Sequence, residues 1–301
     1  MIYTLTLNPA LDYHLGLECL RLGETNRSKN ENLVLGGKGI NVSLMLQNLG
    51  IDSVALGFLA GFSGKEILLR LSQESFKSDF VFLQNGFSRI NVKIKAQEES
   101  EINANGPIPT QEEIQELLAK IANLHSKDIL ILSGSLARGM KSDFYSKVMQ
   151  ECKALIILDV SGEPLELGLP YKPFLIKPNK AELEAMFSKK LKTIEEVVEC
   201  AKDLQNRGAR NVLISLGGEG AVFLDEKHNC HHLGVPKGEL INSVGAGDSM
   251  VAGFIAGFLK TQDFKEAFYY SVASGSASAY SEGFGTQSKV EELLKSLKEE
   301  R

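Results

Sequence analysis

"NSVGAGDSMVAGFIAGF" (residues 242–258) sets Gly245, Ala246 and Gly247 ahead of a carboxylate, Asp248, and then runs straight into an apolar helical pattern. Val251, Phe254, Ile255, Phe258 and Leu259 recur at i, i+3, i+4, i+7 and i+8, which predicts a helix over 247–259 with a core-facing stripe. Ala252, Gly253, Ala256 and Gly257 make a second face of small residues, against which another element can approach closely. Such a helix is buried from two sides. Glycines at its start permit positive φ and leave backbone N–H groups bare, and with the helix dipole they make an anion site. Asp248 then has two readings. It is a favourable charge in a first helical turn, or it is an acid beside an anion hole, the arrangement phosphoryl transfer needs. In the second reading the N–H groups stabilise the moving phosphoryl group and the carboxylate accepts the attacking hydroxyl's proton.

Outward from this helix, short apolar runs alternate with helical patterns. "IYTLTL", "SVALGF", "DILILSG", "ALIILDV", "FLIKPN" and "NVLISLG" read as buried strands. Segments at about 39–49, 64–75, 110–123, 141–152, 193–207 and 247–259 read as helices. Strands without alternation, separated by helices, predict an α/β fold with a parallel sheet covered on both faces. One region breaks the rhythm. "SRINVKIK" (88–95) puts Ile90, Val92 and Ile94 on one face and Arg89, Asn91, Lys93 and Lys95 on the other. "ESEINANG" (99–106) alternates again, with Glu101, Asn103 and Asn105 opposed to Ile102 and Ala104. These two predict a small sheet with one wet face, which is either an exposed edge hairpin or a surface able to close over a ligand.

The 301-residue chain is long enough to bury a substantial core, and its 43% hydrophobic and 24% charged content is ordinary for a globular protein. A formal net charge of −5 argues against broad phosphate neutralisation on nucleic acid but leaves room for a small anionic ligand. The N-terminal "MIYTLTLNPALDYHL" lacks the basic and long apolar regions of a signal peptide, and no apolar run is long enough to suggest a membrane span. Cys19, Cys152, Cys200 and Cys230 are scattered without CxxC spacing, as expected of a reduced, cytoplasmic protein.

Further motifs sit where strands end. "LGGKGINVSLMLQNLG" (35–50) leads into a helix through Gly36, Gly37 and Lys38, but Lys38 is followed by Gly39, so this is no Walker A loop. It is either a tight turn with a solvated lysine or a backbone approach to a ligand with a cation beside it. "ISLGGEGAVFL" (214–224) joins two apolar runs through Gly217, Gly218 and Gly220. It leads into a strand, which excludes a dinucleotide fingerprint and suggests a glycine-rich hairpin turn. In "LIKPNKAEL" (175–183), Asn179 and Glu182 have capping-box spacing, and they could instead face Mg²⁺ or its waters. "NPALD" (8–12) delivers Asp12 beyond the first strand, and "SGSLARG" (133–139) does the same for Ser133, Ser135 and Arg138. "HNCHH" (228–232) is too compact for a standard zinc site and reads as a surface turn and strand.

Taken together, "NPALD", "GGKGIN", "SRINVKI", "EINANGP", "SGSLARG", "KPNKAEL", "SLGGEGA" and "NSVGAGDSM" resemble, in order and over essentially the whole chain, the PfkB (ribokinase-like) family of carbohydrate kinases. The lid-like pair and the N-terminal stretch look most like its 1-phosphofructokinase and tagatose-6-phosphate kinase branch, the former more closely. The resemblance implies one ribokinase-like α/β/α kinase domain over 1–301, with a mainly parallel central sheet and a small β-lid from about 10–35 and 86–106. It implies ATP and Mg²⁺ as cofactors and a sugar phosphate as substrate, most simply fructose 1-phosphate converted to fructose 1,6-bisphosphate. Asp248 corresponds to the base and Gly245, Ala246 and Gly247 to the anion hole. Asp12, Gly36, Gly37, Lys38 and Asn41 correspond to sugar contacts, and Arg89, Lys38 and Arg138 would meet the phosphate already on the substrate. Asn91, Lys93, Glu101, Asn103 and Ser135 complete the expected substrate surface. The nucleotide stretch corresponds to Ser215, Leu216, Gly217, Gly218, Glu219 and Gly220, with Lys177, Asn179 and Gly247 beside it; Asn179 and Glu182 would stand near Mg²⁺ through water.

Three departures qualify the match. Ser215 replaces a usual Thr, Ala137 replaces a usual Pro, and "SVASGSASAYSEGFGT" matches the adenine-side helix only in its small residues. Rival substrates are tagatose 6-phosphate and fructose 6-phosphate; a neutral sugar would not need Lys38, Arg89 and Lys93. A non-catalytic sugar-phosphate sensor would be expected to have lost the base or the glycines, and both are present. A lid edge strand could pair two copies into a homodimer, and nothing points to nucleic acid or membrane partners.

Overall fold

The computed structural model describes residues 1–74 and 76–299. Among these the chain runs through β1 (Ile2–Thr6), β2 (Ala10–Gly16), β3 (Asn30–Gly36), α1 (Lys38–Asn48), β4 (Ser53–Ala60) and α2 (Gly61–Gln73). Two short strands, β5 (Lys77–Ser78) and β6 (Val81–Leu83), precede β7 (Arg89–Lys95) and β8 (Glu99–Ile102). Next come α3 (Gln111–Ala122), β9 (Ile129–Ser133), α4 (Phe144–Glu151), β10 (Leu155–Asp159) and α5 (Glu163–Gly168). They are followed by β11 (Leu175–Ile176), α6 (Lys180–Met186), α7 (Ile194–Asn206), β12 (Asn211–Ser215), β13 (Ala221–Leu224) and β14 (Cys230–Leu233). Three helices close the chain: α8 (Ala246–Thr261), α9 (Phe264–Ala279) and α10 (Gln287–Glu299).

Apolar strands with no wet face need cover on both sides, and the main sheet has it. Its order is β14-β13-β12-β11-β10-β9-β1-β4-β5, with β6 also on β4. Pairing is parallel from β12 through β5 and β6, and antiparallel only where β13 and β14 extend one edge. Side-chain alternation divides the core. On β9, Leu130 and Leu132 join a cluster with Leu117 of α3, Tyr145 of α4 and Leu204 of α7. Ile129 and Ile131 face the other way, toward Met45 of α1, Phe254 of α8, Phe268 of α9 and Leu293 of α10. The result is a three-layer α/β/α body, as the sequence predicts. Each fully buried side chain of this size contributes about 1.5–3 kcal/mol.

The small-residue face of α8 receives α9 as its sequence suggests. A Cβ on Gly253 would lie 2.3 Å from Ser274 Oγ, and one on Gly257 would lie 2.8 Å from the Ala267 Cα. The apolar stripe of α8 is shorter than its periodicity implies, because Leu259 is 45% exposed. It borders a surface groove with Leu49, Ile51 and Tyr270 instead of entering the core.

A separate four-stranded sheet has the order β3-β2-β7-β8. Asp12, beyond the first strand, is within β2 of this sheet, opposite Val34 on β3 and Asn91 on β7. The first strand's ladder ends at Thr6, and beyond Pro9, which lacks an N–H to donate, 10–16 alternates as a strand should. On the inner side of this sheet Leu11, Leu33, Leu35 and Ile90 pack over Ile40, Leu59, Ile67 and Leu71. Farther out, Val92 and Ile94 are half-buried and Ile102 is exposed. All four cysteines are unpaired, and no helix among the described residues is long and apolar enough to cross a membrane.

Candidate active site

Parallel strands deliver their connecting loops to one edge, and here that edge is also where polar residues end apolar strands. Thr6 of β1, Ser133 of β9 and Asp159 of β10 stand in register at the carboxyl ends of three adjacent strands. A cavity of about 440 Å³ opens there, between the main sheet and the small one, with Asn8, Lys38, Arg89, Ser135, Ser161 and Glu182 among its walls.

Helix α8 begins at this edge. Gly245 precedes it with φ 78°, a left-handed conformation that disfavours a side chain, and a Cβ there would sit 2.7 Å from the Phe284 ring. The Ala246 N–H donates to the Ser243 carbonyl at 3.2 Å, so it is already spent in a turn. The anion-binding capacity of the helix start therefore falls on the N–H groups of Gly247 and Asp248, which helical geometry leaves without internal acceptors. That narrows the expected Gly245–Ala246–Gly247 donor set and shifts it by one residue. Gly247 also faces Lys177, whose Nζ would be 3.1 Å from a Cβ at this position.

The Asp248 side chain does not cap its helix. It is 6% exposed, and its Oδ2 accepts the side-chain amide of Asn41 at 2.8 Å. Burial pushes its pKa up to about 6, and the negative charge of Asp159 adds to the rise; the Asn41 hydrogen bond and the Lys177 and Lys38 cations oppose it. A carboxyl in that range exchanges protons readily near neutrality, as a general base must.

Lys38 opens α1 and Lys177 lies between β11 and α6, yet both ammonium groups come 3.4 Å from the same atom, Asp159 Oδ1. Lys177 and Asp159 are 5% and 1% exposed and form a buried pair, which the half-buried Lys38, 35% exposed, joins from the cavity side. Burial works against the Lys38 charge, but Asp159, Asp248 and Glu182 outweigh it and hold its pKa above the usual lysine value. Asp159 Oδ2 is buried without a hydrogen-bond partner. Asp159 was not singled out from the sequence; the available signal is an acid closing an otherwise apolar strand, "LIILD". Asn8 was also missed, inside the quoted "NPALD".

On the small sheet, Asp12 Oδ1 accepts the Asn91 amide at 2.7 Å, and Asn91 Oδ1 in turn accepts the Ala104 N–H at 3.1 Å. Gly36 leaves the space Asp12 occupies: a Cβ there would be 2.6 Å from Asp12 Oδ2. Arg89 Nε donates to the Asn8 carbonyl at 3.0 Å; burial lowers its pKa and Asp12 counteracts that. Lys93 is paired with Glu101 at 2.5 Å and donates to Asn103 at 3.3 Å, so its charge is already answered on the sheet. Gly37 and Ser135 line the cavity, whereas Arg138 is exposed and is not among its lining residues.

Asn179 and Glu182 form the capping box their spacing suggests: Asn179 Oδ1 accepts the Glu182 N–H at 2.8 Å, and Glu182 Oε2 accepts the Asn179 N–H at 2.9 Å. Capping does not remove Glu182 from the cavity, which it lines. Ser215 bridges to Asn179 in parallel fashion, bringing the glycine-rich stretch beside this helix start. Leu216 is buried, Gly217, Gly218 and Glu219 form an exposed 3-10 turn, and Gly220 returns the chain into β13. Lys180 and Glu219 span this turn at 3.6 Å. Among the described residues no group of three or more His, Cys, Asp or Glu could cage a metal. The hard oxygens of Glu182 and Asn179 suit Mg²⁺ held largely by water and phosphate, as that ion prefers.

The family model described as "pfkB family carbohydrate kinase" matches residues 5–291. The 1-phosphofructokinase of Bacillus subtilis is 43% identical over 301 residues, covering 99% of both chains. The D-tagatose-1-phosphate kinase of Bacillus licheniformis is 40% identical, covering 99% of this chain and 98% of its own. Among solved structures, phosphofructokinase-2 from Escherichia coli in complex with fructose-6-phosphate superposes with a TM-score of 0.91 at 28% identity, covering 99% of both chains.

Proposed function

Because the chain belongs to the pfkB family of carbohydrate kinases, we propose that it phosphorylates a ketohexose phosphate with ATP, converting fructose 1-phosphate to fructose 1,6-bisphosphate. The observation that carries the reading is the placement of Asp248. It is a buried carboxylate of raised pKa, at the N-terminus of α8, next to a triad that presents Lys38 and Lys177.

In this reading the Gly247 and Asp248 N–H groups hold the transferring phosphoryl group, and Lys177 neutralises charge on the nucleotide side. The stretch from Ser215 to Gly220 lies against the nucleotide. Lys38 and Arg89 meet the phosphate already on the sugar, while Asp12, Asn91 and Asn41 orient the sugar hydroxyls beneath the small sheet, which acts as a lid. Asp248 accepts the proton of the free primary hydroxyl. Phosphoryl transfer proceeds through a loose transition state, so Asp248 need not ionise the hydroxyl beforehand; it orients it and takes the proton late. Mg²⁺, held through water by Glu182 and Asn179, would supply charge neutralisation on the phosphates.

The relatives of 40–43% identity carry names that specify a ketohexose with its phosphate on C1. That favours the fructose 1-phosphate expected from the sequence over its rival tagatose 6-phosphate. Fructose 6-phosphate is the second reading, favoured by the structural match to a fructose-6-phosphate complex. The half-buried Val92 and Ile94 and the exposed Ile102 of the small sheet support pairing of two copies through it. ADP release would be measured against fructose 1-phosphate, tagatose 1-phosphate, fructose 6-phosphate, tagatose 6-phosphate and free sugars. The highest kcat/KM is expected for fructose 1-phosphate. No stimulation by any phosphosugar would sink the proposal.

A further inference from the structure

We propose that Asp159 is a positioning residue, which holds the substrate-side and nucleotide-side cations in place through one shared carboxylate oxygen. The inference rests on the kinase reading above. Lys38, half-buried, and Lys177, buried, come from separate elements and would repel each other if left without a shared anion. Asp159 Oδ1 lies 3.4 Å from each, and Asp159 ends β10 at 1% exposure, so the anchor is fixed by the sheet itself.

Titratable groups face this triad from three helices. Asp248 stands on α8, Glu182 on α6 and the Tyr145 phenol on α4. Tyr145 is engaged elsewhere, donating to the Gly134 carbonyl at 3.2 Å. Both lysines also feel the charge of Asp248, but the carboxylate in ion-pair contact with both is Asp159. Arriving phosphate oxygens would find the two ammoniums already gathered, with no need to recruit them from solvent. The same carboxylate adds to the proton affinity of Asp248, which gives a readout that packing alone would not move.

The test is Asp159→Asn, which keeps the size and removes the charge, with pH profiles of kcat/KM measured beside the wild type. The expected result is a fall of at least ~10-fold at pH 8, with the acid limb displaced to lower pH. An unchanged or higher kcat/KM, or a limb that stays in place, would overturn the proposal. Should Asp159→Asn fail to fold, Asp159→Asn/Lys177→Met is compared with it by thermal melting. Recovery of the folded state on removing one stranded ammonium supports the bridge, and no recovery overturns it. Since melting reads the bridge without turnover, a wild type inactive on every sugar phosphate would refute the kinase reading separately.

Discussion

Asn41 donates its side-chain amide to Asp248 Oδ2 at 2.8 Å, tying together the first turns of α1 and α8 across 207 residues of chain. Both helices are preceded by glycines, Gly37 and Gly245, and their positive ends meet at this hydrogen bond. The contact explains why the carboxylate is free of capping duty. It is aimed away from its own helix and held by the neighbouring one, where a hydroxyl and a phosphoryl group could meet in front of it.

Asp248→Asn is expected to cut kcat by at least ~100-fold, the low end of general-base effects. KM for both substrates should change little, because the amide keeps the size and the Asn41 neighbour. Steady-state kinetics at saturating substrate check this, and near-wild-type turnover would remove Asp248 from the mechanism.

The same substitution should stabilise the fold above pH 6. The folded-state pKa of Asp248, about 6, exceeds the ordinary value of 3.8, so the fold favours the protonated form. Above pH 6 the protein must carry a buried carboxylate, a cost on the order of 1–3 kcal/mol. Asp248→Asn removes that cost; its advantage should fade as pH falls from 6 and vanish below about 4. Denaturant unfolding at pH 5 and pH 8 would show it, and an equal or lower stability of the variant at pH 8 would contradict the burial argument.

A third expectation concerns the acid limb itself. With Asp248 as base, kcat/KM should rise with pH through about 6 and then level off. Asn41→Leu deletes a hydrogen bond that favours the ionised carboxylate, so the limb should move to higher pH. Activity should fall several-fold further at pH 7 than at pH 8.5, where the loss that remains is that of a group orienting the sugar. A limb shifted to lower pH would mean that Asn41 does not act through Asp248.

Sequence periodicity was enough to read the main sheet, because strands such as "LIILD" are apolar on both faces and admit only a covered sheet. It also found α8, and its small-residue face anticipated the approach of α9. Helix α9 itself was not legible: its Ser, Ala and Gly residues are nearly all buried, so no polar face contrasts with an apolar one. Helix α10 was readable and was passed over, since Val290, Leu293, Leu294 and Leu297 keep helical spacing. At the site, residues carried by glycine-rich turns stood out, whereas Asp159 did not. Its neighbours in the triad, Lys38 and Lys177, come from 121 residues before it and 18 after it, and only the fold brings the three together.

Gly36 separates a steric role in the proposed sugar site from a role in folding. Its φ is not in the left-handed range, so a side chain costs no backbone strain, but a Cβ would lie 2.6 Å from Asp12 Oδ2 and 2.9 Å from Oδ1. Those atoms end a flexible side chain and can move, which breaks the 2.7 Å hydrogen bond from Asn91 before it disturbs either strand. Gly36→Ala should therefore melt close to the wild type while raising KM for the sugar phosphate ~10- to 100-fold, the scale expected for a misplaced binding group. KM for ATP should stay near its original value, because the lysine triad and α8 are untouched. Gly234→Ala serves as the control, since a Cβ there meets nothing within 4 Å and the residue lies beyond β14. Equal increases in both KM values would mean that Gly36 acts on the whole cavity, and an unchanged sugar KM would take Asp12 out of substrate binding.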